Sequence, residues 1–225
     1  MQAAATAPGT KSDQAYRCLR RAIVTFEVGA DAPLDEAALM ARYGLGRTPL
    51  REALKRLALE QFIRWPPHRT PYVRALGLDE LAPLYETRLL LEVPVAGLAA
   101  ERIADAELAG LDALLARIRQ AADAGRPYEE VELDHELHVA IARGTHNRYL
   151  VEAVTALNCG SLRLWYRAQR QLGMTHVHEL HERLVGALRR HDRPLAEQVA
   201  REHVLRSHQR QLALHALPVE PNHGD

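Results

Sequence analysis

Gly46-Arg47-Thr48-Pro49-Leu50-Arg51-Glu52-Ala53-Leu54 reads as a sharp turn feeding a helix with one apolar and one basic face. The Thr48 hydroxyl is placed to cap that helix, and Pro49 suits the first helical position, where a missing N–H costs nothing and φ is already set. Leu50, Ala53, Leu54 and Leu57 recur at helical spacing and make a buried stripe. Arg51 and Lys55 fall on the opposite face, one turn apart, with Arg47 just ahead of the helix. A helix seated in the major groove of DNA needs donors at its N-terminal end, where side chains meet base edges and phosphates. A surface helix with solvated arginines has the same pattern, so the neighbouring segments decide.

Upstream, Leu34 to Tyr43 gives a short helix with Leu39, Met40 and Tyr43 as its apolar positions, and Gly44 stands where a left-handed C-terminal cap belongs. Ahead of it, Ser12 to Phe26 reads as a first helix, with Leu19, Ala22, Ile23 and Phe26 facing inward and Arg17, Arg20 and Arg21 outward. Downstream, Phe62 to Trp65 and Tyr72 to Arg74 are short β-type runs around Pro66-Pro67-His68-Arg69-Thr70-Pro71, a hairpin wing whose basic tip carries Arg69. Together these segments form a winged helix-turn-helix. Tyr16, Trp65 and Tyr72 read as packing groups in this module rather than as base-stacking groups.

Charge divides the chain in the same place. Residues 11–76 hold 12 Lys and Arg against 7 Asp and Glu, whereas residues 77–225 hold 17 against 22, although the whole chain is formally neutral. A basic module joined to an acidic one suits a DNA anchor coupled to a part that stays off the phosphate backbone. Cys18 and Cys159 suggest no disulfide framework, and the first eleven residues lack the pattern of a signal peptide. No apolar run approaches membrane-spanning length, so the expectation is a cytoplasmic protein with no membrane partner.

Beyond Leu81 the sequence shows helices alone, over about 79–103, 105–124, 127–143, 147–171, 175–191 and 193–216. Breaks fall at Ala104-Asp105, Gly125-Arg126-Pro127, Gly144-Thr145-His146-Asn147, Gly173 and Asp192-Arg193-Pro194, and Pro94 is expected to kink the first helix. Short connections favour an antiparallel helical bundle. The expected fold is thus mostly α, a winged helix-turn-helix with a small β wing followed by an all-α bundle.

The histidines carry the chemistry of the second part. Asp134 and His138 stand at i and i+4, so both side chains leave one helix face and can share a metal ion. His181 lies 11 residues before Asp192 and His203 lies 11 after it, at similar heights on a helical hairpin. One carboxylate oxygen and three imidazole nitrogens suit a divalent transition metal, with zinc foremost and nickel, manganese or iron also compatible. Spacing leaves a bland reading open, because an Asp and a His one turn apart also make an ordinary helical salt bridge. Arg88 is similarly double: a guanidinium inside a bundle needs an anionic partner, either a carboxylate ligand bridging to the metal or Glu92 one turn on. Trp165, Tyr166, Arg163 and Arg167 cluster on the fourth helix of this part as further cavity candidates.

The run from Gly46 to Leu54, with Leu34-Asp35-Glu36 ahead of it, resembles the GntR family of bacterial transcription regulators, in which a Ser-Arg-Thr-Pro-Val-Arg-Glu-Ala-Leu run opens the recognition helix. Gly46 replaces that serine, Thr70 stands where the wing usually has glycine, and Ala37 stands where some members place a DNA-contacting arginine. The second part is similar to the FCD effector domain of the FadR-type branch of that family. Its Asp-x-x-x-His, its later histidine and its last histidine fall on Asp134, His138, His181 and His203, and its Arg-x-x-x-Glu on Arg88 and Glu92. His146 and Leu180 depart from the usual glycine and glutamate.

The resemblance implies a homodimeric regulator, a repressor in the first instance, that binds a palindromic operator in double-stranded DNA through Arg47, Thr48, Arg51, Lys55 and Arg69. It implies a metal at Asp134, His138, His181 and His203 and a small carboxylate effector at Arg88. The boundaries that go with it are a tail over 1–12, the winged helix-turn-helix over 13–76, a linker over 77–80, an effector-binding and dimerisation domain over 81–217, and a tail over 218–225. Two other readings stay open: the metal itself is the signal, or the site is catalytic, an enzyme fused to a DNA-binding head. The second lacks a general base, since Glu179 and Glu182 flank His181 without a spacing that demands catalysis.

Overall fold

In the computed structural model, which describes residues 9–75, 77–172 and 175–216, Thr10 opens the first helix. Its side chain accepts from the Asp13 backbone N–H while the Asp13 carboxylate accepts from the Thr10 backbone N–H, a reciprocal cap. Helix α1 (Lys11–Val24) therefore starts inside the segment expected as a tail. Residues 1–8 of that tail, the C-terminal tail and the break at Gly173 lie outside the described residues. The chain divides into two compact units, Met1–Leu76 and Gly77–Asp225.

In the first unit Asp35 caps α2 (Glu36–Tyr43) through the Ala38 N–H, and Gly44, at φ 63°, ends it in the left-handed conformation that a glycine adopts without strain. Helix α3 (Arg47–Leu59) buries Leu50, Ala53, Leu54 and Leu57 against α1 and α2. Each such leucine contributes about 1.5–3 kcal/mol of apolar burial. Strands β1 (Ile63–Arg64) and β2 (Tyr72–Val73) pair antiparallel as the wing, and Pro33 bridges to Tyr72 so that the loop before α2 closes onto it.

Three expectations for this unit fail in detail. Gly46, not Thr48, is the N-cap of α3, and it offers no side-chain bond; the helix starts two residues early, and Pro49 still falls within the first turn, where no N–H is required. Phe26 is 41% exposed, because α1 stops at Val24 and Phe26 turns out at φ 62°. Arg20 is buried, its guanidinium lying 5.7 Å from the Phe62 ring centroid. A long arginine stem covers apolar surface well, so a helix position read as outward came in under the wing.

The second unit is a bundle of α4 (Leu78–Arg102), α5 (Asp105–Asp123), α6 (Pro127–Arg143), α7 (Arg148–Leu172), α8 (Thr175–Arg189) and α9 (Arg193–Ala216). Helix α4 begins at Leu78 with Gly77 as its cap, so most of the expected linker is helical, and Asp79 and Glu80 favour that N-terminus through the helix dipole. Helix α4 continues through both Pro83 and Pro94. Helix α4 packs along α9, α6 along α5 and α7, and α8 along α9. One apolar core, including Leu111, Ile118, Leu137, Ile141, Leu184, Leu188 and Val199, joins α4, α5, α6, α8 and α9. Asp192 caps α9 by accepting from the Leu195 N–H at 3.0 Å, and His191, at φ 51°, donates Nδ1–H to the Ala100 carbonyl at 2.8 Å, which fixes the turn of the α8–α9 hairpin. Among the described residues no helix is long and apolar enough to cross a membrane.

Candidate metal centre and DNA-binding face

Helix α3 presents Arg47, Thr48, Arg51 and Lys55 to solvent opposite its leucine stripe, and Arg69 is exposed in the turn of the wing. The basic face is less bare than its sequence suggests. Glu36, at the start of α2, stands 3.7 Å from Arg51 Nη1 and 4.0 Å from Arg47 Nε, and Lys55 Nζ lies 2.9 Å from Glu52 Oε1. Arg51 also lies over the Trp65 ring, 5.8 Å from its centroid. These are exposed pairs of small individual worth, but they hold Arg51 and Arg47 toward one edge of the helix N-terminus.

In the second unit three helices converge on a histidine cluster. Helix α6 supplies Asp134 and His138 from one face, α8 supplies His181 and α9 supplies His203, all buried. Ring centroids are 4.7 Å apart for His181 and His203, 5.0 Å for His138 and His203, and 5.3 Å for His138 and His181. One nitrogen from each ring falls within 4.8 Å of the others. Asp134 adds Oδ1 at 3.3 Å from His181 Nε2 and Oδ2 at 3.8 Å from His138 Nε2.

Neither of those separations is an aligned hydrogen bond. Asp134 Oδ1, His138 Nε2, both nitrogens of His181 and His203 Nδ1 are all buried without a hydrogen-bond partner in the protein. Burying that many polar atoms unpaired costs about 1–3 kcal/mol apiece. A shared divalent cation would satisfy them together, and an N/O donor set of three imidazoles and one carboxylate fits such an ion.

Protonation favours the same fit. Burial, reinforced by Arg88 and His135, pushes the His138 imidazole down to about 3. Burial likewise holds His181 and His203 well below the usual histidine range, so all three rings are neutral, the form that ligates a metal. Burial raises the Asp134 carboxyl to about 7 against the lowering pull of Arg88 and His178, a cost that a cation beside it would remove.

Arg88 is fully buried on α4 beside this cluster. Its Nε and Nη2 donate to the two Glu92 oxygens at 2.6 and 3.2 Å, and Nη1 donates to Ser207 Oγ at 3.1 Å. Burial opposes the guanidinium charge, and Glu92 more than offsets it, leaving the group more basic than usual. Glu92, one of the two partners open in the sequence, is thus in place. Two small cavities flank the histidines, each with room for about one water-sized sphere. Glu92, His138, Val154 and His203 line one, and Asp134, Trp165, His203, Ser207 and Arg210 line the other.

The FCD domain model matches residues 83–206, and the model for bacterial regulatory proteins of the gntR family matches residues 11–73. The chain belongs to the GntR family and carries an FCD domain. Among its relatives, the Nta operon transcriptional regulator of Aminobacter aminovorans is 32% identical over 125 residues, covering 56% of this chain and 59% of that protein, less than two thirds of its length. The HTH-type transcriptional repressor GlaR of Escherichia coli (strain K12) is 27% identical over 200 residues, 84% of this chain and 90% of that protein. The E. coli McbR/YncC structure shares the fold, with a TM-score of 0.78 at 20% identity over 92% of this chain and 100% of that one.

Several buried polar residues of this GntR-family chain's FCD domain escaped the sequence reading. Asn158 on α7 is fully buried, and neither its amide nitrogen nor its oxygen has a partner; Trp165 Nε1, two turns on, is in the same position. Ser207 and Tyr85 bond to each other at 2.8 Å and back the Arg88 guanidinium. Glu130 receives His178 at 2.8 Å and Gln169 at 2.7 Å one turn before Asp134. The face of α7 carrying Val154, Asn158 and Trp165 could have been traced by helical spacing, because Trp165 was already a candidate. Of its neighbours, Arg163 is buried, whereas Tyr166 and Arg167 are half-buried.

Proposed function

We propose that this chain is a DNA-binding transcription repressor whose operator affinity is set by a small organic acid bound beside a divalent metal ion in the FCD domain. The observation that carries the reading is the buried convergence of His138, His181 and His203 with Asp134, neutral rings each with at least one nitrogen that lacks a protein partner. Those four side chains would hold the ion, zinc being the expected occupant, and leave a position facing the cavities. The ion would supply a Lewis-acid anchor for a carboxylate oxygen. Arg88, with its charge already stabilised by Glu92, would hold the acid's other side, and the Asn158 amide would receive a polar substituent.

In the other unit Arg51 would read a base edge, and Arg47, Lys55, Thr48 and Arg69 would hold phosphates. A cytoplasmic homodimer on a palindromic operator follows the family pattern, and repression follows the GlaR relative. The other two readings predict different behaviour: a metal signal changes operator binding with no acid present, and an enzyme turns an acid over. Operator titrations of the metal-loaded and metal-stripped protein, followed by a carboxylate library with product analysis, test all three. Release of DNA by an acid only when metal is present, with no turnover, supports the proposal. Acid-independent switching by metal alone overturns it.

A further inference from the structure

An arginine guanidinium offers carboxylates two bidentate edges, Nε/Nη2 and Nη1/Nη2, and in Arg88 the first is taken by the chain itself. Nε and Nη2 both go to Glu92, whereas Nη1 goes to Ser207. Glu92 lines the same cavity as His138 and His203, and its Oε2 lies 3.8 Å from His138 Nδ1. A negative charge of the protein therefore stands between the arginine and the histidine cluster.

The geometry points to Glu92 as the residue that sets the charge class of the acid: it admits an acid with one carboxylate and disfavours one with two. This rests on the reading of the FCD domain as a metal-and-acid site. One carboxylate reaches the ion and the Nη1/Nη2 edge of Arg88, in exchange for the neutral Ser207 hydroxyl. A second carboxylate finds the Nε/Nη2 edge filled and Glu92 at close range, and carboxylates crowded in one buried site repel strongly. Glu92→Gln keeps the side chain's shape and one carbonyl acceptor for the fork but removes the charge, so a second carboxylate gains a partner. Glu92→Asp keeps the charge on a side chain too short to span both donors, and frees part of the edge.

The test uses the full-length protein loaded with Co²⁺, whose visible spectrum reports exchange of an oxygen ligand at the ion. Propionate and succinate serve as probes because they differ by one carboxylate on the same carbon chain. The succinate-to-propionate affinity ratio should rise roughly tenfold or more in Glu92→Gln, a change of about one pKa-unit equivalent in charge repulsion, and by less in Glu92→Asp. Should Glu92→Gln fail to fold, Glu92→Asp alone still decides, since Arg88 there keeps a charged partner. An unchanged ratio in cobalt-loaded variants overturns the role given to Glu92. Loss of cobalt from Glu92→Gln with retention in Glu92→Asp makes Glu92 a metal ligand and also overturns it. A wild-type protein that takes up no cobalt removes the underlying metal-and-acid reading, and the selectivity with it.

Discussion

Replacing Arg88 or Glu92 singly should hurt the FCD domain far more than replacing both. Arg88 is 0% and Glu92 7% exposed, and they share two charge-assisted bonds at 2.6 and 3.2 Å. Arg88→Met leaves the Glu92 carboxylate buried beside His138 without its counter-charge, and Glu92→Met strands the guanidinium between Tyr85 and Trp165, each ring centroid 5.0 Å away. Breaking a buried pair in this way costs about 3–5 kcal/mol, whereas replacing both partners with apolar side chains of similar volume is about neutral or stabilising. The coupling energy of the double-mutant cycle should therefore reach about 3 kcal/mol or more, and each single variant should melt roughly 10 °C below the parent. The assay is chelator-treated denaturation followed by Trp165 fluorescence in a Trp65→Phe background, so that only the second unit reports. Single substitutions costing less than about 1 kcal/mol, or costs that simply add in the double variant, would show that Arg88 and Glu92 do not form the buried pair described.

Arg51→Ala should lose about 1–3 kcal/mol on the specific operator and less on random DNA, read by fluorescence anisotropy; equal losses would assign the side chain to phosphate. Arg47→Ala should instead reduce the slope of log affinity against log salt by about one, and an unchanged slope would remove it from the phosphate contacts. Asn158→Leu removes two unpartnered buried amide atoms, so it should stabilise the metal-free protein by about 1–2 kcal/mol in chemical denaturation while weakening the acid; a loss of stability would mean that the amide has a structural partner after all.

The helices described in the second unit were legible because their breaks carry Gly, Pro and Asp caps and because leucine and alanine recur at helical spacing. The cluster was legible for a geometric reason as well. His181 and His203 are equidistant from the Asp192 turn, so an antiparallel hairpin brings them level, and the i, i+4 pair on α6 needs only to face that hairpin. What the sequence could not show was helix rotation against neighbours distant in the chain. That rotation decides that Arg20 lies under Phe62, that Ser207 meets Arg88 across 119 positions, and that Asn158 is fully buried. The cap of α3 was misplaced for a local reason: Thr48 and Gly46 are both acceptable caps in isolation, and the choice falls to the turn from Gly44, which needs the helix to begin at Arg47.

The most direct test is the metal content of the full-length protein purified without chelator, measured by elemental analysis beside His138→Ala, His181→Ala and His203→Ala. The parent should carry about one divalent transition-metal ion per chain, and each variant should lose it while staying helical by circular dichroism and binding operator DNA undiminished, because each removes one of the four side chains proposed to hold the ion. Full metal in all three variants, or none in a parent offered zinc, nickel, manganese and iron in turn, would contradict a metal centre at this cluster.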